Sequence, residues 1–243
     1  MRHFGTSLTE RCMNFIFDLY GTLIDIKTDE EKRVLWENVA CELGEDRSEA
    51  EKIRSEYRTL CSKYKTSDEQ EIDLLGVFED MLEAPGKKKS DGARLAEKFR
   101  ELSTERIRLF DGVTEMLRSL KQSGAGVYLV SNAQACFTLP ELEKIGLITF
   151  FDGIVISSDV GVKKPSPHIF ALALERFGLR ADECVYVGND MRDDIQGAYS
   201  AGLKTVYIQT EQSGKYDDSN MPRPTCTAEN HAHLVEILLS FPK

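Results

Sequence analysis

An aspartate stands at position 18, where the apolar run Met13–Phe17 ends, and Gly21 and Thr22 follow it in the segment FIFDLYGTL. A carboxylate at a strand end can attack an electrophile and hold it as an acyl intermediate. It can also cap the turn that follows, but capping does not predict polar residues at other strand ends. Such residues recur. Ser131 and Asn132 follow the apolar GVYLV, Lys164-Pro165 stands ahead of a helical stretch, and Asn189-Asp190 follow CVYVG. The last group runs on to Asp193 and Asp194, so several carboxylates share these segments with Lys164 as their cation. Like charges a few ångströms apart repel strongly unless compensated, and a hard divalent ion with oxygen ligands would compensate them. Asp193 and Asp194 also suit the start of a helix through its dipole.

These groups meet only if the elements carrying them form a parallel sheet. Gly126–Val130, Ile154–Ile156, Cys184–Val187 and Thr205–Ile208 read as strands, with Met13–Phe17 as the first. Val113–Gln122, Pro167–Phe177, Asp193–Ala201 and His231–Leu239 read as the helices between and after them. Short apolar strands alternating with amphipathic helices indicate βαβ units and a parallel sheet covered on both faces. Ligands of open parallel sheets collect beyond the carboxyl ends of the strands. Asp18, Ser131 and Asn189-Asp190 all fall at such ends, which places them on one rim.

Residues 28–106 differ in character. They are strongly charged, and their apolar residues fall at helical intervals, as in Val34, Leu35, Val39 and Leu43 before Gly44. Ile53, Tyr57, Leu60 and Tyr64 continue the pattern. A third helix runs from Leu74 through Leu82 to a stop at Ala84-Pro85-Gly86, and a fourth covers Gly92 to Leu102. The chain therefore divides into a loose lead-in at 1–12, an α/β core at 13–27 and 107–243, and a helical insert at 28–106. Arg33, Trp36, Tyr57 and Arg58 are residue types able to face a substrate from that insert, and equally ordinary on a helix surface or in its core.

Hydrophobic residues make up 41% of the 243 and the formal net charge is −10, enough apolar matter for a core and a balance that repels nucleic acid and anionic membranes. No apolar run reaches the length of a membrane span, and no signal-peptide segment precedes Phe15, so a cytoplasmic protein is expected. The six cysteines include no C-x-x-C pair, which fits reduced thiols rather than zinc or a disulfide framework. Cys184 opens an apolar run as a core residue, and Lys87–Lys89 is a solvated basic loop.

In their order, FIFDLYGTL, LVSNA, GVKKPSPHIF and VYVGNDMRDDIQGAYSAG resemble the haloacid dehalogenase (HAD) superfamily, over roughly Phe15 to Ile208. The insert directly after the first segment looks like the small helical cap of the family's C1 type, as in its subfamily IA. The resemblance implies a Rossmann-like core with Asp18 as nucleophile, Ser131 as donor to a substrate oxygen, and Lys164 as the steadying cation. Tyr20, Thr22 and Asn132 complete the catalytic set carried over with those motifs. It further implies Mg²⁺, held among Asp18, the backbone carbonyl of Tyr20, Asn189, Asp190 and Asp194.

Two positions depart from the family's phosphatases. Tyr20 stands where they carry a second aspartate that protonates the leaving oxygen and activates water, and a phenol is a poor base near neutral pH. Asp25 lies further along the same segment as a possible substitute. Asn189 stands directly after Gly188, where an aspartate is usual, so either its amide oxygen ligates the metal or the loop presents Asp190. A carboxylate holds Mg²⁺ better than an amide, which favours Asp190. The leading expectation is a Mg²⁺-dependent phosphatase acting on small phosphorylated metabolites through an aspartyl-phosphate at Asp18. The alternatives are a metal-free 2-haloacid dehalogenase, whose Asp-Tyr pairing this resembles, and a non-catalytic binding module.

Overall fold

The computed structural model describes residues 13–65, 67–82, 91–215 and 220–241. The lead-in with Cys12, the Ala84-Pro85-Gly86 stop and the Lys87–Lys89 run lie outside the described residues.

The first strand, β1 (Asn14–Phe17), lies at the centre of a six-stranded sheet. It pairs in parallel with β4 (Gly126–Ser131) on one side and β6 (Cys184–Gly188) on the other, with Phe15 between Val127 and Val185. Beyond them lie β5 (Gly153–Ile156), β7 (Lys204–Ile208) and β8 (Cys226–Ala228), in the order β5-β4-β1-β6-β7-β8, every pair parallel. Side chains alternate faces along a strand, and β1 uses both. Phe15 and Phe17 pack into the layer of α5 (Val113–Gln122) and α10 (His231–Leu239). Ile16 packs into the opposite layer with α8 (Pro167–Phe177) and α9 (Gly197–Ser200). Burial on both faces is why these strands are almost continuously apolar.

Several elements depart from the sequence expectation, the edge strand β8 among them. The helical insert is rooted in an antiparallel pair, β2 (Ile24–Thr28) and β3 (Thr104–Leu109), with Asp25 opposite Arg108. The expected junctions at 27/28 and 106/107 thus fall inside two strands. α6 (Ala135–Lys144) follows β4 with Pro140 inside it, and the one-turn α7 (Ser157–Val160) follows β5. The helix expected over Asp193–Ala201 instead opens as a π-helical turn, Met191–Gln196, which runs into α9.

The insert's helices α1 (Arg33–Glu42), α2 (Ala50–Tyr64), α3 (Leu74–Met81) and α4 (Gly92–Ser103) enclose their own core. Trp36, Tyr57, Phe78 and Phe99 form its centre, with ring centroids 5.1 to 5.9 Å apart, the offset and edge-on spacing that aromatic quadrupoles favour. Trp36 and Tyr57 are therefore packing residues, while Arg33 pairs with Glu37 at 2.8 Å and Arg58 with Glu31 at 2.7 Å. Among the described residues no helix is long and apolar enough to cross a membrane, and the five described cysteines are free, with Cys184 buried.

Candidate active site

Asp18 leaves the end of β1 with its amide still bonded to Val187 O at 2.9 Å, so the strand's register carries it to the rim. The chain then turns sharply at Gly21, whose φ of +87° suits glycine. A Cβ there would stand 2.5 Å from Asn189 Nδ2, so the absence of a side chain lets the two loops close on each other. That closure delivers Thr22 beneath the carboxylate. Thr22 Oγ1 lies 3.2 Å from Asp18 Oδ2 and 3.1 Å from Asn189 Oδ1.

The other oxygen of Asp18 takes two donors, Ser131 Oγ at 3.1 Å from the end of β4 and Lys164 Nζ at 2.7 Å. Lys164 also donates to Asp194 Oδ1 at 2.6 Å and to the Tyr186 hydroxyl at 2.9 Å. Burial alone would lower the pKa of this ammonium, but the carboxylates of Asp18 and Asp194 hold it well above its ordinary value. Burial pushes Asp194 the other way, up to about 7, against the pull of Lys164. Whenever Asp194 is ionised, one cation between two buried carboxylates leaves negative charge in excess.

Asn132 works on the backbone rather than on Asp18. Its Oδ1 accepts from Lys164 N at 2.8 Å and its Nδ2 donates to Lys164 O at 3.0 Å, so it holds the lysine's backbone through the peptide units on either side of its Cα. The same Nδ2 reaches Asp193 Oδ2 at 3.3 Å. Asp190 Oδ1 accepts from the amides of Arg192 and Asp193 at 2.9 and 2.8 Å, and so caps the π-helical turn. Asp194 braces the loop, its Oδ2 accepting from Asp190 N at 2.9 Å. Asp193 and Asp194 do stand in the first turn, where the dipole favours them, but the side-chain cap is Asp190, and the residue facing Asp18 across the Thr22 hydroxyl is Asn189.

Tyr20 commits its hydroxyl to α6 rather than to Asp18. It bonds to Thr138 Oγ1 at 3.0 Å and to Glu141 Oε2, both on α6, and the Arg100 guanidinium lies 5.5 Å from its ring centroid. Arg100 Nε in turn donates to Glu141 Oε1 at 2.6 Å. Burial, and then the Glu141 carboxylate, raise the phenol's pKa above its ordinary value. A phenol in that state does not take a proton from water. Asp25 does not take over the task either: although burial opposes it, bonds from Arg106 and Arg108 hold its carboxyl below the usual range.

These residues line a pocket of about 160 Å³: Asp18, Tyr20, Ser131, Asn132, Lys164, Asn189, Asp190, Asp193 and Asp194, joined by Gln212. Thr22 lies beneath it, fully buried. Sequence reasoning missed Gln212, Tyr186 and the Thr138–Glu141–Arg100 group. Tyr186 carried a signal, since a hydroxyl in the middle of the buried run CVYVG must find a partner. It accepts from Lys164 and donates to Val130 O at 2.8 Å. The others carried none, because they belong to segments with no recognisable motif.

Among the described residues no group of three or more His, Cys, Asp or Glu side chains is placed to hold a metal ion. Mg²⁺ does not need one, since one or two carboxylates, neutral oxygens, water and substrate phosphate suffice. Asp18 Oδ2 and Asn189 Oδ1 converge on one hydroxyl that has a single proton to share between them. Two electron-rich oxygens so placed, beside excess buried negative charge, fit a hard cation.

The sequence signature of haloacid dehalogenase-like hydrolases matches residues 12–202. A glyceraldehyde 3-phosphate phosphatase from Methanopyrus kandleri is 31% identical over 206 residues, spanning 84% of this chain and 85% of that one. Among solved structures, a HAD phosphatase from Thermococcus onnurineus superposes with a TM-score of 0.62 at 23% identity, covering 93% of this chain and 97% of its own. A 2-haloacid dehalogenase from Pseudomonas syringae pv. Tomato gives 0.61 at 22% identity, covering 95% and 100%. The fold is common to both kinds of enzyme, so the chemistry must be argued from the side chains.

Proposed function

Since the chain belongs to the haloacid dehalogenase-like hydrolase family, we propose that it is a phosphatase of small phosphomonoesters that forms an aspartyl-phosphate at Asp18. The observation that carries this reading is the Asp18 carboxylate, oriented by Ser131, Lys164 and Thr22 and lining the pocket. Similarity to a protein named as a phosphatase, over 84% of this chain and 85% of that one, supports it.

In this reading an Asp18 oxygen forms a bond to phosphorus as the bond to the ester oxygen breaks, the leaving alkoxide takes a proton from water, and a second water then cleaves the aspartyl-phosphate to phosphate and free Asp18. Lys164 keeps the carboxylate ionised and offsets the charge that builds on the phosphoryl group, the kind of preorganised electrostatic help that dominates such reactions. Ser131 is placed to donate to a phosphoryl oxygen once the nucleophile has moved off it. Mg²⁺ would be held by Asp18, Asn189 and the Tyr20 carbonyl, and would supply Lewis-acid stabilisation of the charge on the phosphoryl group. Asp190 and Asp194 shape the loop. The helical insert serves as the cap, its segment at Glu69 and Glu71 bonded to Ser166 at 3.0 Å and Ser157 at 2.9 Å beside the lysine loop. The protein works in the cytoplasm, where its thiols stay reduced.

Tyr20 favours a second reading. With its hydroxyl committed to Glu141 and Thr138, no side-chain acid stands at the usual place to protonate a leaving alkoxide. A halide needs no such proton, so a 2-haloacid dehalogenase using Asp18 fits that one feature better. A single set of assays separates the two. Release of phosphate from an aryl phosphate is expected to require Mg²⁺ and to disappear in Asp18→Asn, and Tyr20→Asp is expected to raise turnover of alkyl phosphates. Halide release from a 2-haloacid without metal, with no phosphatase activity, would reverse the assignment.

A further inference from the structure

Gln212 lines the pocket but lies beyond residue 202, where the family signature ends. It sits in a turn after β7, closed by Thr210 N donating to Ser213 Oγ at 2.9 Å and Ser213 N donating to Thr210 O at 3.1 Å. Its Nε2 donates to Asp25 Oδ1 at 2.9 Å. Asp25 is 5% exposed and takes two further bonds, from Arg106 at 2.8 Å and from Arg108 at 2.9 Å. A carboxylate between two guanidiniums is ionised and can only accept. The amide must therefore turn its NH₂ toward Asp25, which removes the usual ambiguity between its nitrogen and oxygen. Among the described residues no donor reaches its carbonyl oxygen.

A fixed, neutral acceptor is of little use to a phosphoryl group, whose oxygens are mostly unprotonated near neutral pH. It serves the rest of the substrate. Charge narrows the choice further. Lys164 is the one cation among the described residues lining the pocket, and it is committed to Asp18 and Asp194. A leaving group bearing its own carboxylate would meet Asp190 and Asp193 with no cation to pair it.

We propose that Gln212, positioned by Asp25, selects phosphomonoesters whose leaving group is a neutral, hydroxylated carbon chain, its carbonyl oxygen accepting from a substrate hydroxyl. The inference rests on the phosphatase reading of the same pocket. Its test is calorimetric titration of the full-length protein, with Mg²⁺ present and Asp18→Asn blocking turnover, by glycerol 2-phosphate, ethyl phosphate and phosphoglycolate. Glycerol 2-phosphate is expected to bind about fivefold more tightly than ethyl phosphate, the worth of one neutral hydrogen bond. Phosphoglycolate is expected to bind no more tightly than ethyl phosphate. Gln212→Leu, a change at a half-buried turn residue, should bring the first two within about twofold of each other, and Asp25→Asn should lower the same ratio. A ratio that survives Gln212→Leu, or phosphoglycolate binding tightest, overturns the proposal. Ethyl phosphate binding as well as glycerol 2-phosphate sinks this inference alone. Failure of all three esters to bind sinks the phosphatase reading and the inference with it.

Discussion

Lys164 serves two carboxylates with one ammonium group, and all three side chains are buried: 2% exposed for Lys164, 8% for Asp18 and 2% for Asp194. Buried pairs of this kind add little net stability when whole, but removing one partner strands the others in a medium that solvates them poorly. Lys164→Met keeps much of the side chain's length and deletes the charge. It is expected to cost about 3–5 kcal/mol, read as a lower urea midpoint, and to abolish hydrolysis. An unchanged midpoint would mean that water or an ion already compensates the carboxylates. At this scale the sequence was legible wherever a polar residue ended an apolar run, as at Asp18 and Ser131. Tyr186, whose hydroxyl sits inside such a run, was legible only as a polar atom in need of a partner, with nothing to say which. The sequence also left the choice between Asn189 and Asp190 to chemistry. Carboxylate affinity favoured Asp190, but the π-helical turn leaves two amides that need a cap, and the Asp190 side chain is the one that reaches them.

Elements were legible in proportion to how cleanly their apolar period showed. α1, α2 and α3 bury one stripe each and were readable from spacing. β2 and β3 were not: IDIKT and TERIRL alternate with charge on a two-stranded, largely exposed ribbon, which looks like a polar linker. α10 docks on the nucleophile loop by a contact that sequence could not show. His231 stacks on Phe110 with centroids 4.1 Å apart and bonds to Thr22 O at 2.9 Å. Burial lowers its pKa, only partly offset by that bond and by Asp111. The sign follows from linkage. Above about 6.5, the ordinary histidine value, the imidazole is neutral folded or unfolded and its contribution is complete. As the pH falls below that, the unfolded chain takes up the proton first, so the contribution shrinks. The urea midpoint of the native protein is therefore expected to fall further between pH 7.5 and pH 5.5 than that of His231→Gln. Parallel falls would show that the ring titrates as it does in the unfolded chain.

At the scale of the whole molecule, the order of strands and helices was enough to give a parallel sheet with its polar strand ends on one rim. Where the pocket-lining groups come from follows from that topology rather than from any single motif. Net charge acts at the same scale. The chain carries a formal charge of −10, and a chain of this length has a radius of gyration of about 18 Å. In about 0.01 M salt the screening length is near 30 Å, so an approaching phosphomonoester, bearing roughly two negative charges, feels the whole molecule's repulsion. At about 0.15 M the length shrinks to near 8 Å and only the groups around the pocket count. Those groups include Lys164 and the proposed Mg²⁺. Raising salt across this range at fixed Mg²⁺ should therefore lower KM for an aryl phosphate, by about twofold or more, with kcat little changed. The direction is the informative part. A KM that rises with salt would mean that local cations, rather than the global charge, govern the approach of substrate.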